Sequence, residues 1–231
     1  MTIISLNAAD GGTFTAYCAE PAATSAPGVV VIHEIYGVTA TLRRTCDRLA
    51  EHGFRALCPD LFWRLQPGVE LDENAPEDRA MANTLRRRFN ETRGVMDLDV
   101  ALAWLARHPQ GNGRVGVVGY CLGGRLAFLL ATRSTPDCVV GYYGSGLEAR
   151  LEEAPAITHP VMLHIAGRDS YVAPDVQETI RANLGAIPLV SLHTYPEAGH
   201  AFARPGGAHY DPAAAHLAET RTLAFLRQHL T

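Results

Sequence analysis

Short, wholly apolar runs alternate along this chain with stretches of helical spacing. Gly28-Val29-Val30-Val31-Ile32 is the first such run. Phe54 to Cys58, Val115 to Gly119, Val139 to Tyr143, Val161 to Ala166 and Leu189 to Tyr195 read as later strands. Runs without polar alternation fit strands covered on both faces, as in a parallel sheet. Between them, residues 40–52 place Leu42, Cys46, Leu49 and Ala50 on one side of a helix. Residues 77–90, 94–107, 122–132, 174–184 and 213–229 also read as helices, the fourth of these opened by Pro174 in its first turn. Residues 3–6 and 13–18 flank a turn-rich AADGG break and predict an edge hairpin. Strands alternating with helices predict an α/β fold, a mostly parallel sheet with helices on both faces. The irregular stretch Phe62–Asp78, with Pro67, Gly68 and Pro76, reads as a lid or binding loop.

Composition narrows the function more than the fold. The 231 residues suit a single domain spanning 1–231, with no linker that would divide it. A net charge of −4 with scattered charge argues against nucleic acid as a partner. No apolar stretch is long enough for a membrane helix, and the N-terminal MTIISLNAADGG lacks the pattern of a secretory signal. All 20 basic residues are Arg, which excludes a Schiff-base lysine and a P-loop lysine. Five cysteines, an odd number without CxxC or zinc-ligand spacing, predict free thiols and a cytoplasmic protein. No metal or organic cofactor is expected, and a monomer is the default.

Local chemistry concentrates at Gly119-Tyr120-Cys121-Leu122-Gly123-Gly124, between an apolar strand and an apolar helix. This is the G-x-nucleophile-x-G elbow of α/β hydrolases, with Cys where Ser is usual. The turn is so tight that only small residues fit beside the nucleophile, which is held in a strained conformation. A helix N-terminus favours the thiolate, and the Leu122 N–H would face an oxyanion. A glycine-rich turn with a buried Cys is the bland alternative. The fold predicts the chain order nucleophile, acid, histidine. Asp169 follows a late strand, and His200 follows the next one, before the last helix. In that arrangement His200 takes the Cys121 proton or pairs with the thiolate, and Asp169 holds the imidazole tautomer. Taken singly, Asp169 could be a turn residue and His200 a surface histidine.

A second cluster, His33-Glu34-Ile35-Tyr36-Gly37-Val38, follows the first core strand. The fold draws its second oxyanion donor from this loop, here the Ile35 N–H. It is not HExxH, so zinc is not expected. Glu34 at the tip of a buried strand is costly unless paired. It either partners an Arg or sits beside the thiol, where it can accept or restrain its proton.

These residues, with Cys58-Pro59-Asp60-Leu61, Gly141-Tyr142-Tyr143-Gly144 and Ala198-Gly199-His200-Ala201-Phe202-Ala203-Arg204, resemble the dienelactone hydrolases (carboxymethylenebutenolidases) of chloroaromatic degradation over nearly the whole chain. The resemblance implies an α/β-hydrolase fold and a catalytic set of Cys121, His200 and Asp169. It implies that Glu34 takes the thiol proton when substrate binds, and that Arg204 and Arg79 bind the substrate carboxylate. Arg204 lies four residues after His200, and a guanidinium grips carboxylates in a planar fork. The chain departs from the family pattern at Ala201, Asn83, Arg86 and His33, which touch the pocket rather than the triad. The expected reaction is hydrolysis of a small lactone bearing a carboxylate, dienelactone to maleylacetate. A broader carboxylesterase or thioesterase, or a non-catalytic binding protein on the same fold, are the rivals.

Overall fold

The computed structural model describes residues 2–231. The chain divides into two compact units, residues up to Gly116 and Val117–Thr231, and the boundary falls inside one strand. In the first unit, β1 (Thr2–Asn7) and β2 (Thr13–Ala19) form an antiparallel hairpin at the sheet edge. β2 pairs antiparallel with β4 (Arg55–Pro59), and β4 pairs parallel with β3 (Ala26–Ile32). In the second unit, β6 (Cys138–Tyr142), β7 (Val161–Ala166) and β8 (Val190–Tyr195) pair in parallel. The remaining strand, β5 (Gly111–Tyr120), carries the boundary. The eight strands are thus mostly parallel, as the unbroken apolar runs predict. Every residue of β3, β4, β6 and β7 is buried.

Six α-helices follow the predicted spacing. α1 (Ala40–Glu51) buries Leu42, Cys46 and Leu49 and is capped by Thr39, whose Oγ accepts the Leu42 N–H. α2 (Pro76–Arg88) has Glu77 and Asp78 in its first turn and three arginines in its last, each sign complementing the helix dipole. It stops two residues short of the predicted 90, because Asn90 caps α3 (Glu91–Ala106) by accepting the Arg93 N–H at 3.0 Å. α4 (Leu122–Arg133), α5 (Pro174–Leu184) and α6 (Pro212–Leu230) belong to the second unit. Asp211 caps α6 by accepting the N–H groups of Ala213 and Ala214. A 3-10 segment, Leu147–Ala156, between β6 and β7 has no counterpart in the sequence reading.

The irregular stretch after β4 is tied down rather than open. Asp60 accepts the N–H groups of Phe62 and Gly68 at 3.0 and 2.7 Å, closing the chain into a loop. Asp97 on α3 is buried and accepts from Trp63 Nε1 and the Arg64 guanidinium. Further on, Val38 N–H bonds to Val69 C=O and Leu71 N–H to Tyr36 C=O. The Arg43 fork, on Glu70 and the Val38 carbonyl, fastens the same junction.

Candidate active site

The elbow at the end of β5 has the strain its sequence predicts. Cys121 sits at the N-cap of α4 with φ 54° and ψ −113°, a conformation that L residues rarely adopt. The Cys121 N–H bonds to the Tyr142 carbonyl at 3.0 Å, and its own carbonyl accepts the Arg125 N–H, which begins the helix. A Cβ on Gly119 would collide with the Gly123 carbonyl. Gly119→Ala is therefore expected to lower stability by about 3 kcal/mol or more, read as the shift in urea midpoint. A variant as stable as the native chain would contradict this packing. Leu122 is buried at the first position of α4, where a backbone N–H has no intrahelical acceptor.

The loops carrying Asp169 and His200 are laced together. Gly167 N–H donates to Tyr195 C=O at 2.8 Å, and Arg168 N–H to Ala198 C=O at 2.9 Å. Buried Gln177 on α5 donates to the Val172 carbonyl at 2.9 Å. Asp169 is buried, and both its oxygens are used. Oδ1 accepts the Tyr171 N–H at 2.8 Å, and Oδ2 lies 2.8 Å from His200 Nδ1. The carboxylate places the Nδ1 proton. Burial opposes charge on His200, but the hydrogen bond to Asp169 and the closeness of Cys121 outweigh it and raise its pKa to about 10. Asp169 and His200 thus form a hydrogen-bonded pair in the second unit, with Cys121 near enough to add to the upward shift of His200.

Two residues beside this chain went unassigned in the sequence. The rings of Tyr143 and Tyr171 meet His200 at 5.2 and 4.7 Å, both in T-shaped geometry. Tyr143 has φ 38° and Ala201 φ 62°, so among the described residues the three positive-φ residues other than glycine are Cys121, a neighbour of His200, and a residue packed on it. The Gly-Tyr-Tyr-Gly strand end was the available signal for Tyr143; nothing local marks Tyr171.

Arg204 is half-buried, in a run of tight turns that begins with Phe202 N–H on Gly199 C=O and continues with Arg204 N–H on Ala201 C=O. The other three candidates lie in the first unit. Glu34 is 3% exposed at the end of β3. Its backbone is fixed by His33, whose Nδ1 lies 2.6 Å from the Glu34 carbonyl, while His33 Nε2 accepts the Leu61 N–H at 3.0 Å. Leu61 can only donate, so the His33 proton must sit on Nδ1, and burial keeps the ring neutral by lowering its pKa. Ile35 is half-buried in the turn that follows. Arg79 is exposed in the first turn of α2, and Arg86 is exposed further along. All five cysteines are free thiols, and only Cys121 is not buried. Among the described residues no group of His, Cys, Asp and Glu could hold a metal ion, and no helix is long and apolar enough to cross a membrane.

Known proteins point the same way. The dienelactone hydrolase family model matches residues 14–230. Carboxymethylenebutenolidase 1 of Cupriavidus pinatubonensis is 44% identical over 223 residues, covering 96% of this chain and 95% of its own. The carboxymethylenebutenolidase of Pseudomonas knackmussii is also 44% identical, covering 96% and 94%. A solved structure of a candidate dienelactone hydrolase from Klebsiella pneumoniae superposes with a TM-score of 0.85 at 28% identity, covering 99% of this chain and all of that one. With its α/β-hydrolase fold and this match across nearly its full length, the chain belongs to the dienelactone hydrolase family, hydrolases of ester and lactone bonds.

Proposed function

We propose that this protein hydrolyses a small unsaturated lactone bearing a carboxylate, dienelactone to maleylacetate, with Cys121 as nucleophile. The observation that carries the reading is the Asp169–His200 hydrogen bond, with Cys121 beside it at a strained helix N-terminus. The similarity to carboxymethylenebutenolidases supports the substrate class. The whole chain, 1–231, acts as one hydrolase domain, and a cytoplasmic monomer is the simplest form of it.

The raised pKa of His200 favours an imidazolium paired with the Cys121 thiolate. The thiolate attacks the lactone carbonyl, and the Leu122 N–H holds the developing oxyanion. The ring C–O bond breaks, and the leaving enolate takes the proton of the His200 imidazolium, which leaves the ring neutral. Acylation removes the thiolate charge, so the part of the His200 pKa that Cys121 supports disappears. The neutral ring then takes a proton from water, which attacks the thioester and releases the thiolate. Arg204 anchors the substrate carboxylate. For Glu34, Ile35 and Arg79 the reading rests on the family resemblance. In the route that resemblance implies, the thiol is protonated at rest and Glu34, not His200, receives its proton as substrate arrives; Ile35 gives a second oxyanion N–H, and Arg79 assists Arg204. Glu34→Gln separates the two proton routes: a preformed ion pair leaves turnover largely intact, whereas proton transfer to Glu34 makes it collapse.

Ala201, Asn83 and Arg86 depart from the family pattern while Cys121, Asp169 and His200 keep it, which favours a second reading, a broader carboxylesterase or thioesterase. Turnover of dienelactone isomers against an aryl acetate decides between them. The first reading expects kcat/KM for the lactone to exceed that for the ester by about 10²-fold. Fast ester turnover with no lactone hydrolysis would sink it.

A further inference from the structure

The second unit holds a buried polar chain that the proposed chemistry does not use. His164 interrupts the apolar run of β7 and is 1% exposed. Its Nδ1 lies 2.8 Å from Tyr195 Oη, and its Nε2 lies 3.0 Å from Thr222 Oγ1. Thr222 Oγ1 is in turn 2.6 Å from Tyr142 Oη. At the other end, Arg221 Nη1 donates to Tyr195 Oη at 3.2 Å.

Proton counting gives this chain a direction. Burial, reinforced by the nearby His193 and Arg221, keeps the His164 pKa well below the ordinary histidine value. The ring is therefore neutral, with one donor and one acceptor nitrogen. A guanidinium only donates, so Tyr195 accepts from Arg221, and the tautomer that pairs every donor has Tyr195 give its own proton to His164 Nδ1. The ring proton then sits on Nε2 and is donated to Thr222, which shares the last bond with Tyr142. Four elements, β6, β7, β8 and α6, are joined through these side chains.

Buried polar groups are costly unless fully paired, and a satisfied network fixes geometry more tightly than apolar packing. Here the geometry concerned is that of the candidate site. The carbonyl of Tyr142 holds the Cys121 N–H at 3.0 Å. The carbonyl of His164 holds the Tyr143 N–H at 2.8 Å, and the Tyr143 ring packs on His200. Two of the residues whose side chains form the network, Tyr142 and His164, are thus the two whose backbones brace the nucleophile and the ring beside the base.

We propose that Thr222 and His164 are positioning residues for hydrolysis, fixing the ends of β6 and β7 and through them Cys121 and Tyr143. The proposal rests on the cysteine-nucleophile reading above. Thr222→Val keeps the side-chain shape and removes both of its bonds. Tyr142→Phe cuts the last bond from the other side, and Thr222→Ser keeps the hydroxyl. Two quantities are read: kcat and KM for ester or lactone turnover, and the pH dependence of Cys121 alkylation by iodoacetamide. Thr222→Val and Tyr142→Phe are expected to lower kcat about tenfold with KM little changed. They should also raise the alkylation midpoint by roughly half a pH unit or more, as His200 and Cys121 lose alignment. Thr222→Ser should restore native behaviour. Unchanged kcat and midpoint in both variants, with only the melting temperature reduced, would overturn the proposal and leave a packing role. If Cys121→Ala proves active, the nucleophile reading fails by itself. The alkylation midpoint then decides the positioning role alone: a shift supports it, and an unmoved midpoint overturns it.

Discussion

Cys121→Ala is expected to lower kcat/KM for the lactone by about 10⁴-fold or more while the protein stays folded. The other thiols offer no substitute nucleophile. Cys18, Cys46, Cys58 and Cys138 are buried. Burial pushes Cys18 and Cys138 up to about 12 and Cys46 well above its ordinary value. Iodoacetamide should accordingly modify one thiol per chain near neutral pH, and a bound carboxylate product analogue should protect it. Alanine at position 121 inherits the same positive φ, so the elbow strain is unchanged and the fold should survive. The substitution also has a signature in stability. A histidine whose folded pKa is raised stabilises the native state fully below its unfolded value of 6.5, and that contribution is lost as pH rises toward about 10. Without Cys121 the folded pKa falls, so the loss should be complete at lower pH. Urea midpoints of the two proteins between pH 6 and 10, alongside turnover, check both effects. Substantial lactone hydrolysis by Cys121→Ala would defeat the mechanism.

How much of this could be read in advance depended on the range of the interaction. The core strands were legible because their apolar runs are local, and the helices because their apolar spacing, and Pro174 at the opening of one of them, are local too. The segment Leu147–Ala156 was not, since a 3-10 repeat with Pro155 and three glutamates carries no 3.6-residue apolar stripe. The stretch after β4 was read as a lid or binding loop because nothing local reveals that Asp97, more than thirty residues on, holds Trp63 and Arg64. The site divides in the same way. Cys121, Asp169 and His200 each occupy an element end that the fold assigns, so their order along the chain was informative. Tyr171 on His200 depends on how two loops meet. The His164 network joins residues 31, 58 and 80 positions apart. A lone histidine in an apolar strand was the single visible trace of it.

Asp169→Asn is the other large loss, expected to reduce kcat by about 10³-fold with KM much less affected. The carboxylate does two things for His200: it accepts the Nδ1 proton at 2.8 Å, and its charge stabilises the imidazolium. An amide of the same shape supplies no charge. It can also turn its NH₂ toward Nδ1, which moves the ring proton to Nε2, the nitrogen that must face the thiol. Both changes act in one direction. The His200 pKa falls from about 10, because burial, which opposes the charged ring, is no longer offset by Asp169. The thiolate loses its cation, and the pH at which Cys121 is alkylated should move up. The backbone is less exposed to the change, since the amide oxygen can still accept the Tyr171 N–H that Asp169 Oδ1 holds at 2.8 Å. A downward-shifted His200 titration by NMR, with an upward-shifted alkylation midpoint and an unaltered circular dichroism spectrum, is the expected pattern. A His200 titration that stays near 10 in Asp169→Asn would mean that Cys121 alone sustains the imidazolium, and Asp169 would be reduced to a structural turn.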